Sequence, residues 1–114
     1  MADQSESGRI IRALEEHLED KDAEESRIVV TVIGRDRVGI IARITSVLAG
    51  YQVNILDINQ TLFRDLFAMN MVADISRATA SFAQLKRSLE EAGAELGVKV
   101  YAQREEVFRF MHRI

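Results

Sequence analysis

Apolar positions along this chain switch between two periods. Ile10, Leu14 and Leu18 recur at the i, i+4, i+8 spacing of one helical face, with Ile11 beside them. Ser7 or Gly8 is placed to cap that helix, which is too short to be stable in water unless it docks on something. Asp20–Ser26 reads as a solvated linker. Arg27–Ile33 is dense in β-branched residues and predicts a central strand ended by Gly34. Ile40, Ile41, Ile44, Val47 and Leu48 then give a helical stripe closed by Gly50. Val53–Phe63 and Leu66–Asp74 read as two strands joined by a tight turn at Arg64-Asp65. In the second of them Phe67, Met69, Met71 and Ala73 alternate with Leu66, Ala68, Asn70 and Val72. Both faces are therefore largely apolar, one for the helices and the other for a partner chain. Ser76 or Thr79 opens a helix with Phe82, Leu85, Leu89, Ala92 and Leu96 on one face, stopped by Gly97. Val98–Gln103 predicts a fourth strand, and Arg104–His112 a short helix with Val107, Phe108 and Met111 apolar.

The order β-α-β-β-α-β, set between two further helices, predicts an α+β chain of the ferredoxin-like, split βαβ kind. Its four strands form one antiparallel sheet with two helices on one face, plus N- and C-terminal helices. Charge divides the chain. Residues 1–26 hold nine acids against Arg9, Arg12 and Lys21, a sum of −6, so the other 88 residues carry +3 of the net −3. We therefore read residues 1–26 as an acidic extension and 27–114 as the folded domain. The length of 114 residues suits one such domain, and 47% hydrophobic residues suffice to fold it. No apolar run approaches the roughly 20 residues of a spanning helix, so no membrane segment is expected. Met1–Glu6 lacks the order of a signal peptide, and the chain has no cysteine, which together suit a cytoplasmic location. The negative charge argues against nucleic acid, whose phosphates call for clustered Lys and Arg.

Chemistry concentrates at Gly34-Arg35-Asp36-Arg37-Val38-Gly39-Ile40. Asp36 is placed to cap the following helix. Gly39 falls in the first helical turn, where glycine is disfavoured by about 1 kcal/mol relative to alanine. It is tolerated either for close approach of a ligand or for helix–strand packing. Helix N-termini present unpaired N–H groups and partial positive charge, which suits a carboxylate. Asp57, Asn59 and Gln60 could line a pocket, but they read first as the wet face of their strand. Glu105 and Arg109 can pair at i, i+4. His17 and His112 lie far apart with no second ligand at metal spacing, so neither a metal nor a cofactor is expected. No nucleophile elbow and no phosphate loop occurs, and no catalytic residue is assigned.

The Gly34…Asp36-Arg37-Val38-Gly39-Ile40 turn, followed by Val53-Asn54-Ile55 at the second strand, resembles the ACT domain family over roughly residues 27–103. The tail Gln103-Arg104-Glu105…Phe108…Met111-His112-Arg113-Ile114 further resembles a group of short, free-standing ACT proteins. It is also similar to the ACT modules of glycine-cleavage repressors and formyltetrahydrofolate deformylase. The resemblance implies a regulatory domain, not an enzyme, that binds a small effector, commonly an amino acid, in a homodimer or higher homo-oligomer, and that acts on a metabolic enzyme. It implies ligand contacts at Asp36, Arg37, Val38, Gly39, Ile40, Asn54 and Ile55. Asn54 would reach the ligand across the dimer, an amide being able to donate to a carboxylate and accept from an ammonium. Valine stands at position 38 where many amino-acid-binding members have proline, which leaves the effector's identity open. The alternative is an interaction module that dimerises and docks on a partner enzyme without an effector. RNA-recognition modules share the topology but need aromatics on the first and third strands, where only Phe67 is offered. Acylphosphatase-like enzymes need an anion-cradling Arg, for which Arg35 and Arg37 sit nearby.

Overall fold

The computed structural model describes residues 26–111, and all their side chains except those of residues 110 and 111. The helix expected around Ile10–Leu18 and both histidines lie outside the described residues. Strands β1 (Arg27–Arg35), β2 (Asn54–Phe63), β3 (Leu66–Asp74) and β4 (Lys99–Arg104) alternate with helices α1 (Ile40–Gly50), α2 (Phe82–Leu96) and α3 (Glu105–Met111) in the order βαββαβα. The strands form one antiparallel sheet in the order β2-β3-β1-β4. This is the ferredoxin-like arrangement that the sequence predicts.

Pleating sorts the residues. Ile28, Val30 and Val32 of β1 stand in register with Ala73, Met71 and Met69 of β3, and all six are buried. Ile40, Ile44 and Leu48 of α1 and Leu85, Leu89 and Ala92 of α2 close over them, making one core. Burial of this kind contributes about 1.5–3 kcal/mol for each large aliphatic side chain. Arg43 of α1 and Glu95 of α2 meet at 3.0 Å across the helix pair, and Tyr51 Oη and Ser88 Oγ share a hydrogen bond of 2.9 Å.

On the other face of the sheet α3 packs against β1 and β4. Its first residue, Glu105, is buried and lies 3.1 Å from Arg109 and 3.8 Å from Arg27. The expected i, i+4 pair therefore forms, and it anchors the start of the helix to the start of β1.

Several boundaries differ from the sequence reading for local reasons. β1 runs through Gly34 to Arg35, because Gly34 keeps its place opposite Phe67 in the ladder. A Cβ on Gly34 would lie 2.7 Å from Val98 Cγ1, so that glycine allows close packing and ends nothing. α1 does not stop on a left-handed Gly50; the left-handed residue is Gln52, at φ 62°. α2 begins after Ser81, whose hydroxyl accepts from the Gln84 N–H at 3.2 Å. Neither Ser76 nor Thr79 caps it: the Ser76 N–H instead donates to the Asp74 carboxylate at 2.8 Å, and Thr79 N–H to the Tyr51 carbonyl at 2.9 Å.

Candidate ligand-binding site

The β1–α1 turn is built by one glycine and two ties. Gly39 is the residue before α1 and not part of its first turn, and it has φ 92°, in the left-handed region. A Cβ built there meets nothing within 4 Å, so the glycine answers to backbone conformation and not to crowding. Its carbonyl accepts from the Arg43 N–H at 2.9 Å. The N–H groups of Ile40, Ile41 and Ala42 thus form the open first turn of α1, one residue later than the sequence suggests.

Asp36 does not cap the helix. Helix α1 has no side-chain cap, because the left-handed Gly39 separates the carboxylate from the first turn. The Asp36 N–H instead donates to the Asp65 carbonyl at 2.8 Å, fastening the turn to the β2–β3 hairpin. Arg37 is turned the other way: its guanidinium donates to the Leu96 carbonyl at 2.8 Å, at the C-terminal end of α2. Val38 is fully exposed, whereas Ile40 is buried in the core. Of the residues read as site residues, then, only Asp36 faces the hollow beside this turn.

That hollow measures about 320 Å³ and is lined by Asp36, Ile41, Gln60, Thr61, Leu62 and Phe67. Its polar residues are Asp36, Gln60 and Thr61; Leu62, Phe67 and Ile41 supply apolar walls. Gln60 stands opposite Met69, on the helix side of the sheet, and it is exposed while lining the hollow. The signal was available in the register. Two adjoining ten- and nine-residue strands with a two-residue turn bring the end of β2, not its beginning, level with the end of β1.

The same register separates Asn54 from the turn. Asn54 pairs with Asp74, and Asp74 with Arg27, whereas Asp36 follows Arg35 at the other end of β1. Eight residues of strand lie between the two ends, roughly 26 Å. Within one chain, Asn54 and the half-buried Ile55 do not meet Asp36. A larger hollow of about 650 Å³ follows the free edge of β4, between Glu90 and Ala94 of α2 and Ile33 and Tyr101 of the sheet, and it includes none of these residues. Among the described residues, no group of three or more His, Cys, Asp or Glu is placed to hold a metal, and no helix is long and apolar enough to cross a membrane.

The βαββαβ sheet defines a ferredoxin-like α+β domain, with a hollow of about 320 Å³ at its first strand–helix turn. The chain belongs to the ACT domain family, whose model matches residues 26–103; domains of this family are typically regulatory and ligand-binding. A UPF0237 protein of Methanocaldococcus jannaschii is 58% identical over 89 residues, covering 78% of this chain and 99% of that protein. An ACT domain protein from Streptococcus pneumoniae superposes with a TM-score of 0.63 at 33% identity, covering 72% of this chain and 92% of that one. A formyltetrahydrofolate deformylase from Pseudomonas syringae pv. tomato shares the fold, with a TM-score of 0.68 at 15% identity over 83% of this chain and 32% of its own.

Proposed function

We propose that this protein is a non-catalytic cytoplasmic regulator that binds a small carboxylate-bearing metabolite, most simply an amino acid, between two copies of the chain. The observation that carries the reading is β2. This edge strand is exposed at nine of its ten positions, and it shows Leu56, Ile58 and Leu62 to solvent at 40–58%. A strand so apolar, with one edge of its backbone unpaired, calls for a partner strand. A two-fold axis beside it pairs β2 with β2 in antiparallel fashion. The Asn54 end of one copy then stands next to the Phe63 end of the other, and with it next to that copy's Asp36, Gln60 and Ile41. The 26 Å that separates Asn54 from the turn within one chain is the offset such pairing removes.

In that arrangement the first-turn N–H groups of α1 meet the ligand's carboxylate, and Asp36 takes its ammonium. Asn54 and Ile55 of the second copy, with Gln60, close the site. Ligand shared by two copies strengthens the dimer by mass action, and so couples occupancy to the state that a metabolic enzyme would recognise. The rival reading, a docking module without effector, gains from the engagement of Arg37 with Leu96 and the outward Val38, which leave few side chains of the turn free for a ligand.

Calorimetric titration with the common amino acids, paired with sedimentation, separates the two. Binding by the wild type, lost in Asn54→Ala and in Gln60→Ala with both variants folded, supports the effector site. Equal affinity in all three proteins would place the ligand elsewhere. A dimer that binds none of the amino acids would put the docking module first.

A further inference from the structure

The sheet face opposite α1 and α2 holds a further hollow, away from the β1–α1 turn. It measures about 320 Å³ and is lined by Thr31, Asn70, Tyr101, Gln103 and Phe108. Register brings these residues together. Asn70 of β3, Thr31 of β1 and Tyr101 of β4 stand in one row across the sheet, and Gln103 lies two residues further along β4, opposite Val29. Thr31 falls between the core residues Val30 and Val32, so pleating turns it to the face away from α1 and α2. Helix α3 covers Val29 at one end of that face and supplies Phe108 as a wall.

The row interrupts an apolar surface. Val29 and Val72 pair on one side of it, and Ile33 and Ala68 on the other. Thr31 Oγ1 donates to Asn70 Oδ1 at 2.7 Å. That bond turns the amide oxygen toward β1 and leaves the two Nδ2–H donors for a ligand.

Three features set the chemistry of an occupant. The volume lies at the small end of the range of small-molecule sites, roughly 300–1,000 Å³. Among the described residues no charged side chain lines the hollow, so an ionic group would lose hydration without gaining a counter-charge. The hydroxyls and amides of Thr31, Asn70, Tyr101 and Gln103 supply donors and acceptors, and the rings of Tyr101 and Phe108 supply flat apolar walls. A neutral planar ring with donors and acceptors around its edge answers to all three.

We propose that this hollow binds the base of a free nucleoside, with its ring against Tyr101 and Phe108 and its polar edge against Asn70 and Gln103. An amide pairs with N6 and N7 of adenine through its oxygen and its N–H. The Asn70 oxygen keeps a second lone pair for this after accepting from Thr31. Adenosine is therefore the favoured probe. Single-stranded nucleic acid would present the same ring, but its phosphates call for clustered Lys and Arg, which the lining does not supply.

Titration of the isotope-enriched full-length protein with adenosine tests the proposal. We expect the amide resonances of Thr31, Asn70 and Gln103 to shift saturably, and those of Gln60 and Arg43 to stay in place. Tyr101→Ala and Asn70→Ala should each weaken binding roughly tenfold, through loss of a ring stack and of an edge contact. Tyr101→Phe keeps the ring and should stay within about threefold of the wild type. Both positions are exposed, so the variants should keep a dispersed spectrum. No saturable shift at millimolar adenosine, wild-type affinity in either alanine variant, or shifts confined to the α1 and α2 side would overturn the proposal. A short single-stranded RNA that binds far more tightly than adenosine, and loses that advantage in salt, would also overturn it and would assign the face to nucleic acid.

Discussion

Alanine at position 39 perturbs the backbone of the candidate site and nothing else. Gly39 sits at φ 92°, where a residue with a Cβ costs about 1–2 kcal/mol. No overlap adds to this, since that Cβ would meet nothing within 4 Å. Alanine also narrows the unfolded ensemble, which returns about 0.4–1 kcal/mol. The net loss is then about 1 kcal/mol, a fall in Tm of about 4–8 °C for a domain of this size. Asparagine, which tolerates the left-handed region, should lose less than alanine, and valine, with its branched Cβ, more. Urea denaturation of the three variants measures the order, and unchanged m-values would show that stability has changed while the surface exposed on unfolding has not. Wild-type stability in both Gly39→Ala and Gly39→Val would refute the reasoning. The turn would then relax to negative φ at no cost, and the glycine would be explained by the approach of a ligand. A bulky residue at position 39 is consequently a poor probe of ligand binding, because it displaces the Ile40–Ala42 N–H groups whether or not a ligand touches them.

Two further substitutions test the frame around the site. Gly34→Ala places a Cβ 2.7 Å from Val98 Cγ1 and 3.1 Å from Val98 Cα. It should cost about 1–3 kcal/mol, and Val98→Ala in the same chain should recover only part of this, since the backbone contact remains. Chemical denaturation of the single and double variants checks it. Ser81→Ala removes the α2 cap and should cost about 0.5–2 kcal/mol in thermal unfolding, with the Ala83–Gln84 amides exchanging faster than those of α1.

The sequence made the fold legible because each period had a single interpretation. Val29 to Val32 is too β-branched and too short to be a buried helix. Ile40, Ile44 and Leu48 have the spacing of one helical face, and all three are buried. Boundaries were less legible where two residues of similar type compete. Ser76, Thr79 and Ser81 can all cap a helix, and the choice of Ser81 depends on Asp74 and Tyr51 taking the N–H groups of the other two. Gly50 and Gln52 compete likewise. A left-handed glutamine is disfavoured, yet Gln52 holds that position where the Val53 N–H returns to the Leu48 carbonyl at 3.0 Å.

The site was harder to read because its parts come from register and not from motif. Asp36, Arg37, Val38 and Gly39 are contiguous in sequence, but the turn sends them apart: Asp36 to the hollow, Arg37 to Leu96, Val38 into solvent. Gln60 is distant in sequence and reaches the hollow through a strand order that sets β3 between β1 and β2. Asn54 is carried to the far end by the same hairpin. In the proposed site a carboxylate, an amide and open N–H groups stand at one end of β2, and a second amide at the other. Antiparallel pairing of β2 with itself is the operation that joins unlike ends twice over, and two-fold symmetry makes the second site an obligatory consequence of the first. On the proposed reading, in which Asn54 meets a ligand at the partner's turn, the dimer carries two equivalent sites and every ligand bound holds both chains.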